Sequence, residues 1–274
     1  MPTSIISPTA FDDLGDGGAI VLLHGFPFNR SMWREQVRFF SAHGYRVVAP
    51  DLRGLGENVA PTLSEDHRLK SVPLTAMEDM ARDVAALMGN LKIESAVICG
   101  LSMGCYVVFE FIQLFPSRVN ALVLCGPRAT GPDETEKKSR EAQALRVMAE
   151  GMDFAVESIS QKLLAQHTVN EKPNAVARVT EMILHTDPRG AAAAQRGMAE
   201  RRDYSGDLRG IKLPTLIIAG REDGVRTPED AEFIQRGIKG SQLVVIDDAG
   251  HLMNMEQADA FNQAMLDFLT CNRS

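Results

Sequence analysis

The chain predicts an α/β protein, a mostly parallel, doubly wound sheet carrying a helical insertion, on three observations. Short, largely apolar runs at residues 19–23, 45–49, 96–99, 119–125, 214–219 and 242–246 read as strands, and the runs at 19–23 and 119–125 suit strands covered on both faces, as in parallel sheets. Apolar residues at helical spacing lie between most of these runs, and such alternation winds helices on both sides of one sheet. From about Arg128 to Asp207 the alternation stops, and helical patterns follow one another without a convincing strand.

In order, residues 5–11 suit a short leading strand, and Asp13-Leu14-Gly15-Asp16-Gly17-Gly18 reads as a turn. The strand at 19–23 ends in His24-Gly25-Phe26-Pro27, where a glycine past a central strand lets the Phe26 N–H turn inward. Residues 31–42 read as a helix through Met32, Trp33, Val37 and Phe40. The strand at 45–49 enters the loop Asp51-Leu52-Arg53-Gly54-Leu55-Gly56, where Asp51 and Arg53 suit ion pairs that brace the loop. Residues 74–91 carry a stripe of Met77, Met80, Val84, Leu87 and Met88, with Thr75 as the expected N-cap.

The strand at 96–99 breaks at Gly100-Leu101-Ser102-Met103-Gly104 before an apolar helix at 106–115. Strand 119–125 is followed by helical patterns at 142–148, 154–164, 175–184 and 191–198, with Pro132, Pro173 and Pro188 as breakers. Entering just past a strand's carboxyl end, these helices would lie over the edge where sites in open α/β sheets form. Residues 1–127 and 208–274 are therefore assigned to a core domain and 128–207 to a helical cap. Strand 214–219 leads to Gly220-Arg221-Glu222-Asp223-Gly224, helix 231–238 follows, strand 242–246 leads to Asp247-Asp248-Ala249-Gly250-His251, and helix 256–269 closes the fold.

Composition removes several function classes. A net charge of −7 without a basic run argues against a nucleic-acid partner. Residues 1–10 lack the basic and apolar regions of a secretion signal, and no run approaches the ~20 apolar residues of a membrane span, so a cytoplasmic protein off the membrane is expected. Cys99, Cys105, Cys125 and Cys271 show neither CxxC nor zinc spacing. Reduced thiols and no metal site are the expectation.

The strand-turn-helix around Ser102 carries the chemistry. A Gly-x-Ser-x-Gly turn there can hold a serine in a strained conformation with its Oγ exposed, while the next N–H, that of Met103, opens the helix. A serine at its free pKa needs a histidine to take its proton, and a carboxylate to hold that imidazole in the right tautomer. Of six histidines, His24 suits bracing its own loop, and His43, His67, His167 and His185 fall on helix ends, loops or the expected cap; His251, just past the last strand, has the positional reason to be the base. For the acid, Glu222, Asp247 and Asp248 compete with Asp223. The aspartates just before His251 suit turn formation, whereas Asp223 arrives from another strand and can approach from the side.

Taken together, the HGFP loop from His24, the loop from Asp51 to Gly56, the GLSMG turn around Ser102, Gly220-Arg221-Glu222-Asp223 and Gly250-His251 resemble the α/β-hydrolase-fold serine hydrolases over essentially the full length of the chain. Within that superfamily the chain is most similar to the carboxylesterase and 3-oxoadipate enol-lactonase-like group. The resemblance implies a small-molecule ester or lactone substrate, an acyl-enzyme formed on Ser102 with His251 and Asp223, an oxyanion hole from the N–H groups of Phe26 and Met103, and no cofactor. Phe28 is a candidate pocket wall. Carbon–carbon bond hydrolases and cofactor-free perhydrolases share these parts, and a ligand-sensing, non-catalytic homologue is the alternative of another class. Relatives usually carry histidine and serine where this chain has Leu55 and Asn58, and often a small residue at Cys105.

Overall fold

The computed structural model describes residues 10–58 and 74–272, with the backbone alone for 157–161. Seven strands form one sheet in the order β1-β3-β2-β4-β5-β6-β7: β1 (Phe11–Leu14), β2 (Gly18–Leu23), β3 (Tyr45–Pro50), β4 (Ala96–Leu101), β5 (Val119–Cys125), β6 (Thr215–Gly220) and β7 (Gln242–Ile246). Only β1 runs antiparallel, Phe11 pairing with Pro50 and Leu14 with Val47. A leading antiparallel strand is thus present but shifted from the expected 5–11, of which 5–9 lie outside the described residues. Asp13 and Leu14, expected in a turn, belong to β1, because pairing with β3 extends them.

The central strands are buried on both faces, and their side chains divide by the two-residue period of a strand. Ile20 and Leu22 share an apolar cluster with Val47, Cys99, Val123 and Ile218, whereas Val21 and Leu23 share another with Val48, Ile98, Leu122 and Ile217. The first cluster takes Val37 and Phe40 of α1 (Arg34–Ala42) and Phe261, Met265 and Phe268 of α11 (Ala258–Cys271). The second takes Met80 and Val84 of α2 (Met77–Asn90), Val107 and Phe111 of α3 (Met103–Leu114) and Ile234 of α9 (Pro228–Gly237). One sheet therefore carries helices on both sides.

Local chemistry sets several boundaries. A 3₁₀ turn at Arg30–Trp33 precedes α1, and Asn29 caps it by accepting from the Ser31 N–H. Thr75 does not cap α2: its N–H donates to Ala193 O and its side chain is buried, so tertiary contact overrides the local signal. Between β5 and β6 lie α4 (Glu134–Glu150), α5 (Asp153–Leu163), α6 (Gln166–Glu171), α7 (Pro173–Leu184) and α8 (Pro188–Ala199). Pro173 and Pro188 stand at the first turns of α7 and α8, where a missing N–H costs nothing. The short α6 was not expected. This segment has no core of its own, since Ala144, Val147, Met182 and Ile183 join one sheet cluster and Ala194 and Met198 the other. Among the described residues no helix is long and apolar enough to cross a membrane.

The chain passes from β2 to β3 on one side and returns to β4 on the other, so the strand order switches direction at β2 and β4. Register aligns the carboxyl ends there: Leu23 lies opposite Gly100 and Leu101 opposite Cys125. Crevices at such switch points are where ligands bind in open α/β sheets.

Candidate active site

Ser102 follows β4 directly and precedes α3. Its φ of 55° makes it one of three described non-glycine residues in the left-handed region, a conformation an L-residue adopts at a cost of order 1–3 kcal/mol when its surroundings enforce it. The surroundings here are backbone. A Cβ on Gly104 would lie 2.3 Å from Leu23 O, and one on Gly100 would lie 2.5 Å from Gly104 C. Only glycines let β2, β4 and the start of α3 close so tightly, and Ser102 N donates to Cys125 O at 2.9 Å. The Met103 N–H opens α3, at the end of a helix where partial positive charge gathers. Neither the Phe26 nor the Met103 N–H has a hydrogen-bond partner among the described residues.

The other expected residues converge on the same rim. Asp223 follows β6, and its Oδ1 accepts from the Val225 and Arg226 N–H groups at 2.8 Å each. Its Oδ2 lies 2.7 Å from His251 Nδ1, both side chains being almost fully buried. With Nδ1 donating to the carboxylate, the other ring nitrogen is left for the cavity that His251 helps line. That cavity, of about 730 Å³, is bounded on the sheet side by Phe26, Ser102, Tyr106, Val225, Arg226 and His251, and on the helical side by residues that include Arg128, Glu136, Arg140, Phe154 and Leu163.

Phe28 requires a correction. It does not line the cavity: the turn closed by Phe28 N to Gly25 O at 3.0 Å sends its ring into the core with Met32 and Trp33, fully buried. The Met103 side chain is likewise buried and absent from the lining.

Competing groups have structural employment. The Leu52 N–H donates to His24 Nε2 at 2.8 Å and His24 Nδ1 meets Gly25 O at 2.9 Å, while burial lowers the pKa of this imidazole. Glu222 accepts from Gln166 N, Asp247 pairs with Arg221, and Asp248 sits in a turn at φ 52°. Asp51 pairs with Arg30, and Arg53 grips Asp83 through two bonds of 2.6 and 2.7 Å, so these two brace the loop without pairing to each other. Asn58 adds bonds to Asp51 O and Ala10 N. Burial pushes the Cys105 thiol well up, and its Sγ donates to Gly100 O. A protonated, enclosed thiol is a poor nucleophile. His67 lies outside the described residues.

Three neighbours of the site were not legible in the sequence. Gly126, at φ 52°, backs the pair: a Cβ there would lie 3.1 Å from His251 Nδ1 and 3.3 Å from Asp223 Oδ2. Its place just past β5 was the available signal. Glu256, buried, accepts from Gly250 N at 2.9 Å and Leu252 N at 3.2 Å through Oε1 and from Ala165 N at 2.7 Å through Oε2. It holds both shoulders of His251 and ties them to the helical segment, which also receives His251 N at Leu163 O, 2.7 Å. Burial raises the Glu256 pKa despite those donors. Glu136 is the third: burial alone would push its carboxyl up, but Arg201 and Arg140 hold it down to about 2, at 2.9 and 2.8 Å. No spacing rule flags a carboxylate that acts through the backbone of another element or inside an arginine cluster.

The sheet order, the left-handed serine at the switch point and the carboxylate-imidazole pair define an α/β-hydrolase arrangement. The chain belongs to the alpha/beta hydrolase fold family, which it matches over residues 18–258. Among its relatives, 3-oxoadipate enol-lactonase 2 of Acinetobacter baylyi is 28% identical over 91% of this chain and 88% of its own. A thermophilic esterase from Thermogutta terrifontis superposes with a TM-score of 0.90 at 38% identity, covering 97% of this chain and 94% of the esterase. The enol-lactonase from Burkholderia xenovorans LB400 gives 0.84 at 29%, covering 95% and 96%.

Proposed function

We propose that this chain is a serine hydrolase that cleaves a carboxylic ester or lactone through an acyl-enzyme. The observation that carries this reading is the 2.7 Å His251–Asp223 pair opening onto the cavity that also exposes Ser102. Ser102 Oγ attacks the carbonyl carbon as its proton passes to His251. The oxygen of the tetrahedral adduct takes the N–H bonds of Phe26 and Met103, a form of stabilisation typically worth ~3 kcal/mol per donor. Collapse breaks the bond to the alkoxy oxygen, which leaves with the proton from His251. Water then repeats the sequence on the acyl carbon, giving the acid and restoring Ser102.

Asp223 fixes the imidazole tautomer and supports its charge, and its own two backbone donors favour the ionised carboxylate. No step calls for a metal or organic cofactor. Residues 128–207 serve as a cap that walls the cavity opposite Ser102. The enol-lactonase and esterase relatives support acyl transfer from oxygen.

Labelling by a fluorophosphonate probe and turnover on a panel of p-nitrophenyl esters and lactones test the reading. Both are expected for the native chain and neither for Ser102→Ala. Ester hydrolysis retained by Ser102→Ala would overturn it.

A further inference from the structure

The charge of the cavity is opposite to that of the chain. A protein of net charge −7 lines this space with Arg128, Arg140, Arg146, Lys162 and Arg226 against Asp133 and Glu136. A concave site with one excess sign concentrates ligands of the other. Three of these cations already have a carboxylate partner: Arg128 and Arg140 share Glu136 with Arg201, and Arg146 pairs with Glu150. Lys162 and Arg226 have no carboxylate within ion-pairing distance among the described residues. Lys162 is exposed, whereas Arg226 is half-buried.

The Arg226 guanidinium is held in place without being discharged. Nη1 donates to Val225 O at 2.9 Å and Nη2 to the Tyr106 hydroxyl at 3.0 Å, and Nε is buried without a partner. Tyr106 lies in the first turn of α3, just past Ser102, and both line the cavity. Its hydroxyl accepts from Arg226 and keeps its own proton to donate, with no acceptor for it among the described residues. Arg226 is also the residue whose N–H binds Asp223, so its position is fixed relative to the catalytic rim. Glu136 and Asp230 act on this guanidinium only from beyond contact. A partly desolvated cation with no carboxylate in contact is costly, and a bound carboxylate would relieve that cost with charge-assisted hydrogen bonds.

We propose that Arg226, together with the Tyr106 hydroxyl, binds a carboxylate carried by the substrate, so that the preferred esters or lactones are anionic. This rests on the serine-hydrolase reading above.

The test compares anionic esters with neutral ones of similar size on the native chain, Arg226→Gln, Arg226→Lys and Tyr106→Phe. One pair, p-nitrophenyl hydrogen glutarate and p-nitrophenyl pentanoate, places the carboxylate on the acyl side. The other, 4-acetoxybutanoate and pentyl acetate, places it on the alcohol side. The readout is the ratio of kcat/KM for the anionic member to that for the neutral one, taken on a single preparation so that any unfolded fraction cancels. In at least one pair Arg226→Gln should lower the native ratio by about tenfold to a hundredfold, mainly through KM. Arg226→Lys should restore part of it, and Tyr106→Phe should lower it less. A change below fivefold in both pairs for Arg226→Gln overturns the inference while leaving the serine-hydrolase reading standing. Absence of turnover of all four esters by the native chain takes down that reading and this inference together.

Discussion

The two walls of the cavity are held by different physics. On the sheet side, Ser102 and Asp223 follow the buried strands β4 and β6 and His251 follows the edge strand β7, and backbone contacts position them: close-packed glycines, the Ser102 N–H on Cys125 O, two N–H groups on Asp223. On the helical side, α4 buries only Ala144 and Val147 among its side chains, and ionic contacts tie it to the residues of α8 and just beyond, Glu136 to Arg201 and Glu141 to Arg196. Backbone geometry is insensitive to pH and salt; ion pairs are not. The contrast teaches that the proposed reacting groups sit on the wall held by backbone, and the wall opposite them is held by contacts that respond to pH and salt.

The sharpest break on the sheet wall is Ser102→Ala, expected to lower turnover by at least about 10⁴-fold with an unchanged melting curve, since the contacts of α3 remain. Asp223→Asn should cost a similar order, about 10⁴-fold in kcat, because an amide in place of the carboxylate permits the wrong imidazole tautomer. Steady-state kinetics beside circular dichroism checks both; comparable loss of fold would sink the view that this wall is set by backbone.

Gly126→Ala should be milder. A Cβ 3.1 Å from the imidazole and a left-handed alanine together should cost about 1–3 kcal/mol of stability, and displacement of His251 should lower kcat. A variant with native stability and native kcat would show that the rim gives more than its geometry implies.

Smaller effects separate the walls by pH. Glu136 is held down to about 2 from 4.5, so its stabilisation is complete above 4.5 and is lost as pH falls toward 2. The stability deficit of Glu136→Gln should therefore shrink over that interval. Glu256 is shifted upward by burial, so the folded state holds its proton more tightly than the unfolded chain does. Its contribution declines as pH rises above 4.5, and the deficit of Glu256→Gln should shrink in the opposite direction. Urea unfolding of the native chain and both variants across pH 2–7 reads the two slopes. Slopes of the same sign would remove the distinction between a paired carboxylate in the helical wall and an unpaired one at its seam with the sheet.

What was legible followed from periodicity and spacing. The runs that became β2 to β6 are largely apolar because helices cover both faces, and the Gly-x-Ser-x-Gly turn announced itself because only glycine tolerates backbone at such range. Misreadings arose where distant backbone decides. Asp13 and Leu14 look like turn residues until β3 pairs with them, and Thr75 looks like a cap until Ala193 takes its N–H. Phe28 resembled a pocket residue from its place after the HGFP loop, but a hydrogen-bonded turn rotates it into the core.

By itself the chain determined the alternation of strand and helix, the place where that alternation halts, and the positions of Ser102, Asp223 and His251 just past strands, since each is written in local pattern or in residue type beside a strand end. Only the tertiary structure decided that Asp223 and His251 meet at 2.7 Å, that Glu256 clasps the loop around the imidazole, and that Arg226 faces the cavity with no carboxylate in contact among the described residues. Those facts depend on distances between segments remote in the chain. Such distances are fixed by sheet register and packing, which no stretch of sequence carries alone.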